Sequence, residues 1–167
     1  MSSVKTEVAE LCSQKSPSLL RKNDIDSLQS LTHKDIWHEW SSRAPTFCKV
    51  LTACASNPSQ LQNKRKTEDS KLPAIVSAGA TLLKESNQKM SALHYINGLA
   101  LKKGGTKTSA FDFMNKTGVS VVYDQILGLQ DKIAEKELTR FKELKRPIIV
   151  GDNVDMRTHV RHMTSSK

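Results

Sequence analysis

"TSAFDFMNKTGVSVVYDQILGLQDKIAEKELTRFKELKRP", residues 108–147, decides the fold class. Val122, Ile126, Leu129 and Ile133 step by four, three and four, which places one apolar stripe along a helix. Leu138, Phe141 and Leu144 continue it on a slightly shifted face. The spacing predicts a short helix around residues 109–116, a turn at Gly118 and a long helix from about Ser120 to Leu144, with Pro147 forcing the exit. Beyond it Ile148–Val150 is the one convincing strand, and a single strand cannot make a sheet. The chain therefore reads as mainly α, a helical bundle or set of hairpins, with a short β-strand near 148–150.

Upstream, Thr32 followed by Asp35 is a capping-box signal for a helix carrying Ile36, Trp37 and Trp40 on one side. "RAPTFCKVLTACASNP", residues 43–58, reads as the next helix: Pro45 suits its first turn, Phe47, Val50, Leu51 and Cys54 share a face, and Asn57-Pro58 stops it. A polar loop is expected over 57–71, then a helix from near Pro73 with Ile75, Val76, Leu82 and Leu83 inward. A further helix carries Met90, Leu93, Ile96, Leu99 and Leu101 and ends at Gly104-Gly105. Three segments follow: a flexible polar arm over 1–27 with one short helix at Val4–Leu11, a helical domain over 28–146, and a strand and tail over 147–167 that begin a further layer.

The chain has 167 residues, 37% of them hydrophobic, and carries a net charge of +9, with a mean hydropathy of −0.47 and a pI near 9.6. These values fit one domain with a modest core, or a small domain plus a tail. The positive excess favours polyanionic partners, DNA or RNA, through counterion release and steering. The start of the chain is polar and the three cysteines are widely placed, so a reducing, intracellular setting is expected, the nucleus ahead of the cytoplasm. No apolar run approaches a membrane span, and no small-molecule substrate or cofactor is evident. Asn63–Lys66 ("NKRK") fits either a nuclear-localisation signal or a solvated loop.

A short helix, a Gly turn and a second helix also describe helix-turn-helix DNA binders. Phe113, Gly118, Val119 and Leu127 fall roughly where that motif wants apolar or Gly residues, but Met114 and Asp124 do not fit, and an ordinary αα-hairpin accounts for the pattern as well. Lys102, Lys103, Lys107 and Lys116, with Tyr123 and Gln125 at the start of the long helix, are the candidate nucleic-acid contacts. The Val122–Ile133 stripe is the candidate surface for self-association. The histidines and cysteines form no zinc pattern.

Asp152, at the end of the strand, has the placement of the first metal-binding carboxylate in a ribonuclease-H-like nuclease or transposase, with Asp155 a weaker candidate. No Asp or Glu follows Asp155, so no complete catalytic site is expected, and an Asp-Asn turn is the plainer reading.

"WSSRAPTFCKVLTAC" (40–54), "FDFMNKTGVSVVYDQILGLQDKIAEK" (111–136) and "RPIIVGDNVDMRTHVRHMTSSK" (146–167) resemble the N-terminal half of an uncharacterised domain family found in multicopy, transposon-like genes of animals and fungi. The resemblance covers roughly Leu28 to Lys167, and the Asn-Lys-x-Gly-Val-Ser and Gly-Asp-Asn-x-Asp stretches are its most specific parts. It implies a truncated copy or gene fragment, onto which no complete site carries over. By that resemblance Asp152 and Asn153 are the positions to watch. The alternative function is a helical interaction module dimerising through the 119–144 helix.

Overall fold

The computed structural model describes residues 3–56 and 64–144, with backbone alone over 64–69. The chain is mainly α. Helices α1 (Val4–Leu11), α2 (Ile25–Ser30), α3 (His33–Arg43), α4 (Pro45–Ala55), α5 (Lys64–Ser86), α6 (Ala92–Lys103), α7 (Thr108–Lys116) and α8 (Tyr123–Lys142) follow one another, with a 3-10 turn at Leu19–Arg21. The strand expected at 148–150 and both candidate carboxylates, Asp152 and Asp155, lie outside the described residues.

The main core forms where α3, α4 and α5 meet. Ile36, Trp40, Val76, Leu83 and Met90 are fully buried there. The Trp40 ring stands edge-on to Phe47, 5.6 Å between centroids, a geometry favoured by the ring quadrupoles. Gly79 lets α5 approach: a Cβ there would lie 2.6 Å from Trp40 Cζ3. At the start of α3 the expected capping box is present, Asp35 N donating to Thr32 Oγ1 (3.2 Å) and Thr32 N to Asp35 Oδ2 (3.1 Å).

Residues 3–27, read from the sequence as part of a polar arm, meet this core. Leu11 and Leu20 are fully buried in it, each contributing about 1.5–3 kcal/mol. Polar side chains make the remaining attachments. Glu39 accepts from Ser18 Oγ (2.8 Å), Leu19 N (3.1 Å) and Arg43 Nη1 (2.6 Å). Arg43 Nη2 donates to Ser16 O (2.7 Å). Helix α4 has no side-chain cap of its own, because Ala44 stands at its N-cap. Glu7 reaches across from α1 and accepts from Phe47 N at 2.9 Å. Burial alone would raise the Glu7 carboxyl's pKa. Hydrogen bonds from Thr46 and Phe47, with the Lys49 charge, outweigh that and hold it below the usual range.

Three expectations need correction. Helix α5 starts at Lys64, not near Pro73, so residues 64–71 are helical and Pro73 sits inside the helix. The Lys, Arg and Glu of that stretch are good helix formers, and Leu72 and Ile75 pack on the core on either side of the proline, offsetting its missing amide hydrogen bond. Leu82 is 58% exposed while Leu83 is fully buried: neighbours on a helix point about 100° apart, and Leu83 continues the row of Val76 and Ala80. On α4 the inward row is Phe47, Cys48 and Leu51, leaving Val50 and Cys54 outside.

Helices α6, α7 and α8 close the fold with two smaller clusters. Leu28, Ala92 and Leu129 form one, with Ile133 packed against it. Phe111, Val121 and Ile126 form the other. Helix α8 begins at Tyr123 instead of about Ser120, because Gly118–Val122 is spent on the connection. Val119 N bonds Met114 O (2.8 Å) and Gly118 N bonds Asn115 O (3.0 Å), with Gly118 at φ +71°. This is a Schellman ending, which glycine adopts without a Cβ penalty.

Candidate functional site

Lys102 and Lys103 close α6, and the chain turns through Gly104-Gly105. Thr106 N bonds Leu101 O (3.1 Å) and Gly105 N bonds Lys102 O (3.0 Å), with Gly105 at φ +72°, a second Schellman ending. Lys107 is the N-cap of α7 and Lys116 its last residue, so the two stand at opposite ends of a helix about 13 Å long. Lys103, Lys107 and Lys116 are exposed.

Lys102 is different. Its ammonium hydrogen-bonds Tyr123 Oη and lies 4.4 Å from the centroid of the same ring, which in turn stands edge-on to Phe111 at 5.2 Å. This cation–π and aromatic stack joins the end of α6 to the start of α8. Lys102 and Tyr123 are thus engaged within the fold, whereas Gln125 is exposed. The geometry brings Lys102 and Tyr123 together, while Lys103, Lys107, Lys116 and Gln125 are exposed and make no contact with that pair in the hydrogen bonds and ring contacts of the described residues.

The stripe is largely used inside the molecule. Ile126 and Leu129 are buried and Ile133 is half-buried, while Val122, in extended conformation at the N-cap of α8, falls off the stripe. Phe113 is 63% exposed, and Val119 and Leu127 are also at the surface. Of the four positions that a helix-turn-helix reading wants apolar or Gly and packed, only Gly118 is buried, so the exposures favour the αα-hairpin reading.

A polar centre the sequence did not reveal holds the 118–120 connection. Thr81 Oγ1 donates to Gly118 O (3.0 Å), Asn97 Nδ2 to Val119 O (2.9 Å), and Lys84 Nζ and Asn115 Nδ2 both to Ser120 O (3.0 Å each). Donors from α5, α6 and α7 thereby satisfy three successive carbonyls that form no ladder. His94, Lys84 and Ser120 are all buried here. Burial, then the nearby Lys84 charge, pushes the His94 pKa down to about 4, against a hydrogen bond with the Gly118 backbone. Burial likewise pushes the Lys84 ammonium below the usual lysine range, opposed by Glu85.

Ser, Lys and His together suggest nucleophilic catalysis, but a nucleophile needs its hydroxyl within hydrogen-bond reach of the base. Ser120 Oγ makes no hydrogen bond among the described residues, and neither does His94 Nδ1. What the described hydrogen bonds do is order the 118–120 turn. Its sequence signals were slight: Lys84 directly after Leu82-Leu83, and His94 between Leu93 and Tyr95. Among the described residues no three His, Cys, Asp or Glu side chains converge as a metal site, Cys12, Cys48 and Cys54 are free, and no helix is long and apolar enough to cross a membrane.

The chain matches no family model, no curated protein and no solved structure.

Proposed function

We propose that this chain is a nuclear, transposon-derived nucleic-acid-binding module, non-catalytic on its own, that contacts the phosphate backbone through exposed lysines from the end of α6 to the end of α7. The exposure of Lys103, Lys107 and Lys116 carries the reading. Residues 102–116 hold four lysines and a single carboxylate, Asp112, so this stretch is positive well beyond the chain average. Exposed lysines on flexible stems make sequence-independent phosphate contacts, and residues 102–116 contain no arginine for base readout. Weak, non-specific affinity in the range of about 10⁻⁴–10⁻⁶ M at physiological salt follows. The resemblance to transposon-like genes and the net charge of +9 support it.

A gel-shift or anisotropy titration across salt tests it. Binding is expected to weaken as salt rises. Replacing Lys103, Lys107 and Lys116 by Ala should flatten the slope by about 0.9 for each phosphate that is no longer neutralised. Absence of binding at low salt, or binding that ignores salt, rules the reading out.

The interaction-module reading keeps one specific observation. Leu138, Phe141 and Leu144 are 54%, 39% and 54% exposed on the last turns of α8 and just beyond. A self-associating surface would lie there and not on the buried Ile126–Leu129 stripe. Sedimentation of a Leu138→Ser, Phe141→Ser variant tests it: a parent chain that stays monomeric at high concentration removes the reading.

A further inference from the structure

An open cleft of about 400 Å³ lies beside the 118–120 connection, between the α5–α6 corner and the α7–α8 hairpin. That volume is within the range of small-ligand sites. Its lining includes two lysines, Lys84 and Lys89, and no carboxylate. Lys84 is 7% exposed. One of its three protons goes to Ser120 O, and the side chain forms no ion pair among the described residues. A buried ammonium without a close anion is costly, and the exposed Glu85 acts on it only through space, without forming an ion pair. The depressed Lys84 pKa reports the same imbalance.

The other walls narrow the ligand's chemistry. Gln88, Lys89 and Gln125 are exposed at the cleft. Asn115 gives one amide proton to Ser120 O and has a second available. These donors belong to α5, the corner after it, α7 and α8, so they approach from several directions. A tetrahedral phosphate offers three oxygens and up to two charges to such a set, whereas a planar carboxylate offers two oxygens in one plane. Tyr95, Val121 and Val122 form the apolar part of the lining, suited to an organic remainder. We propose that the cleft binds a small phosphate monoester, its phosphate between Lys84 and Lys89 and its organic part against Tyr95 and Val121. The site stands apart from the nucleic-acid reading, because Lys103, Lys107 and Lys116 do not line it.

The test is an amide-resolved NMR titration of the full chain with inorganic phosphate, adenosine monophosphate and acetate, at constant ionic strength. Saturable shifts at Lys89, Gln125 and Asn23 are expected with phosphate and the nucleotide, tighter for the nucleotide, and weaker shifts with acetate. Gln125→Glu sets a carboxylate at an exposed position of the cleft and should weaken binding about tenfold. Lys89→Ala should weaken it severalfold, while Lys103→Ala, Lys107→Ala leaves it unchanged. Lys84→Met tests the deepest contact, and the exposed variants decide the matter should that one fail to fold. The proposal is overturned if no saturable shift appears with either phosphate compound up to about 10 mM, a free energy near −2.7 kcal/mol. It is equally overturned if acetate binds as well as phosphate, or if Gln125→Glu and Lys89→Ala bind like the parent.

Discussion

Two buried centres, a few residues apart along α5, are built on opposite principles. Around Trp40 the interior is apolar: Ile36, Val76, Leu83 and Met90 belong to the same buried cluster, and Trp40 Nε1 is the one buried polar side-chain atom there without a partner among the described residues. Around Ser120 the interior is wet in character: Lys84, His94 and Ser120 are nearly as buried, and four side-chain donors converge on three carbonyls. Leu83 belongs to the first centre and Lys84 to the second, because consecutive residues on a helix face directions about 100° apart. Volume governs the first centre; correct donors in fixed places govern the second.

The largest test of that contrast is Trp40→Ala. Removing a fully buried indole leaves a cavity beside Phe47 and Gly79, and a loss of about 3–5 kcal/mol is expected in urea unfolding. A loss below about 1 kcal/mol would show that the ring is not packed as described.

Acid discriminates the other centre. The His94 pKa, about 4 in the fold, lies below the ordinary value near 6.5. Between those values the unfolded chain binds the proton and the folded chain does not, so stability falls as pH falls from 7 towards 4. The loss approaches about 3 kcal/mol, and none of it appears above pH 7. His94→Gln should flatten this part of the pH profile while leaving the acid loss from Glu7, whose carboxyl is held low. An unchanged profile in that variant would mean that His94 is not buried neutral.

The contrast also explains what was legible in the sequence. The Thr32–Asp35 box, the Gly105 and Gly118 endings and the long α8 were readable because each rests on residues a few positions apart. Lys103, Lys107 and Lys116 were readable as surface charge. The engagement of Lys102 with Tyr123 was not, since it spans 21 positions. Nor was the docking of the first residues. Glu7 caps a helix 40 positions away, and Leu11 and Leu20 sit in stretches too polar and short to show a period. The cleft escaped for the same reason: Lys84, Asn115 and Gln125 are distant in sequence and meet only through the hairpin. Periodicity finds apolar faces; polar contacts made at long range leave no local trace.

Gly118→Ala forces a Cβ into the left-handed region and to within 2.7 Å of Thr81 Cγ2. The expected cost is about 1–2 kcal/mol, with faster amide exchange at Val119 and Ser120, because the Thr81 and Lys84 bonds depend on that turn. A neutral result would mean that the connection relaxes freely and that the polar centre does not hold it.

Thr32→Ala is the smallest perturbation and the control for the rest. It removes the acceptor for Asp35 N at the exposed start of α3, for a loss of about 1 kcal/mol. Hydrogen bonds from the Thr32 side chain and then its backbone hold the Asp35 carboxyl low, so its titration should move up towards the usual aspartate value in the variant. The cap touches neither buried centre. Its cost should therefore add to that of Gly118→Ala within about 0.5 kcal/mol in the double variant. A larger deviation would show that the start of α3 and the Gly118 connection are coupled through α5, and the separation of the two centres would then be wrong.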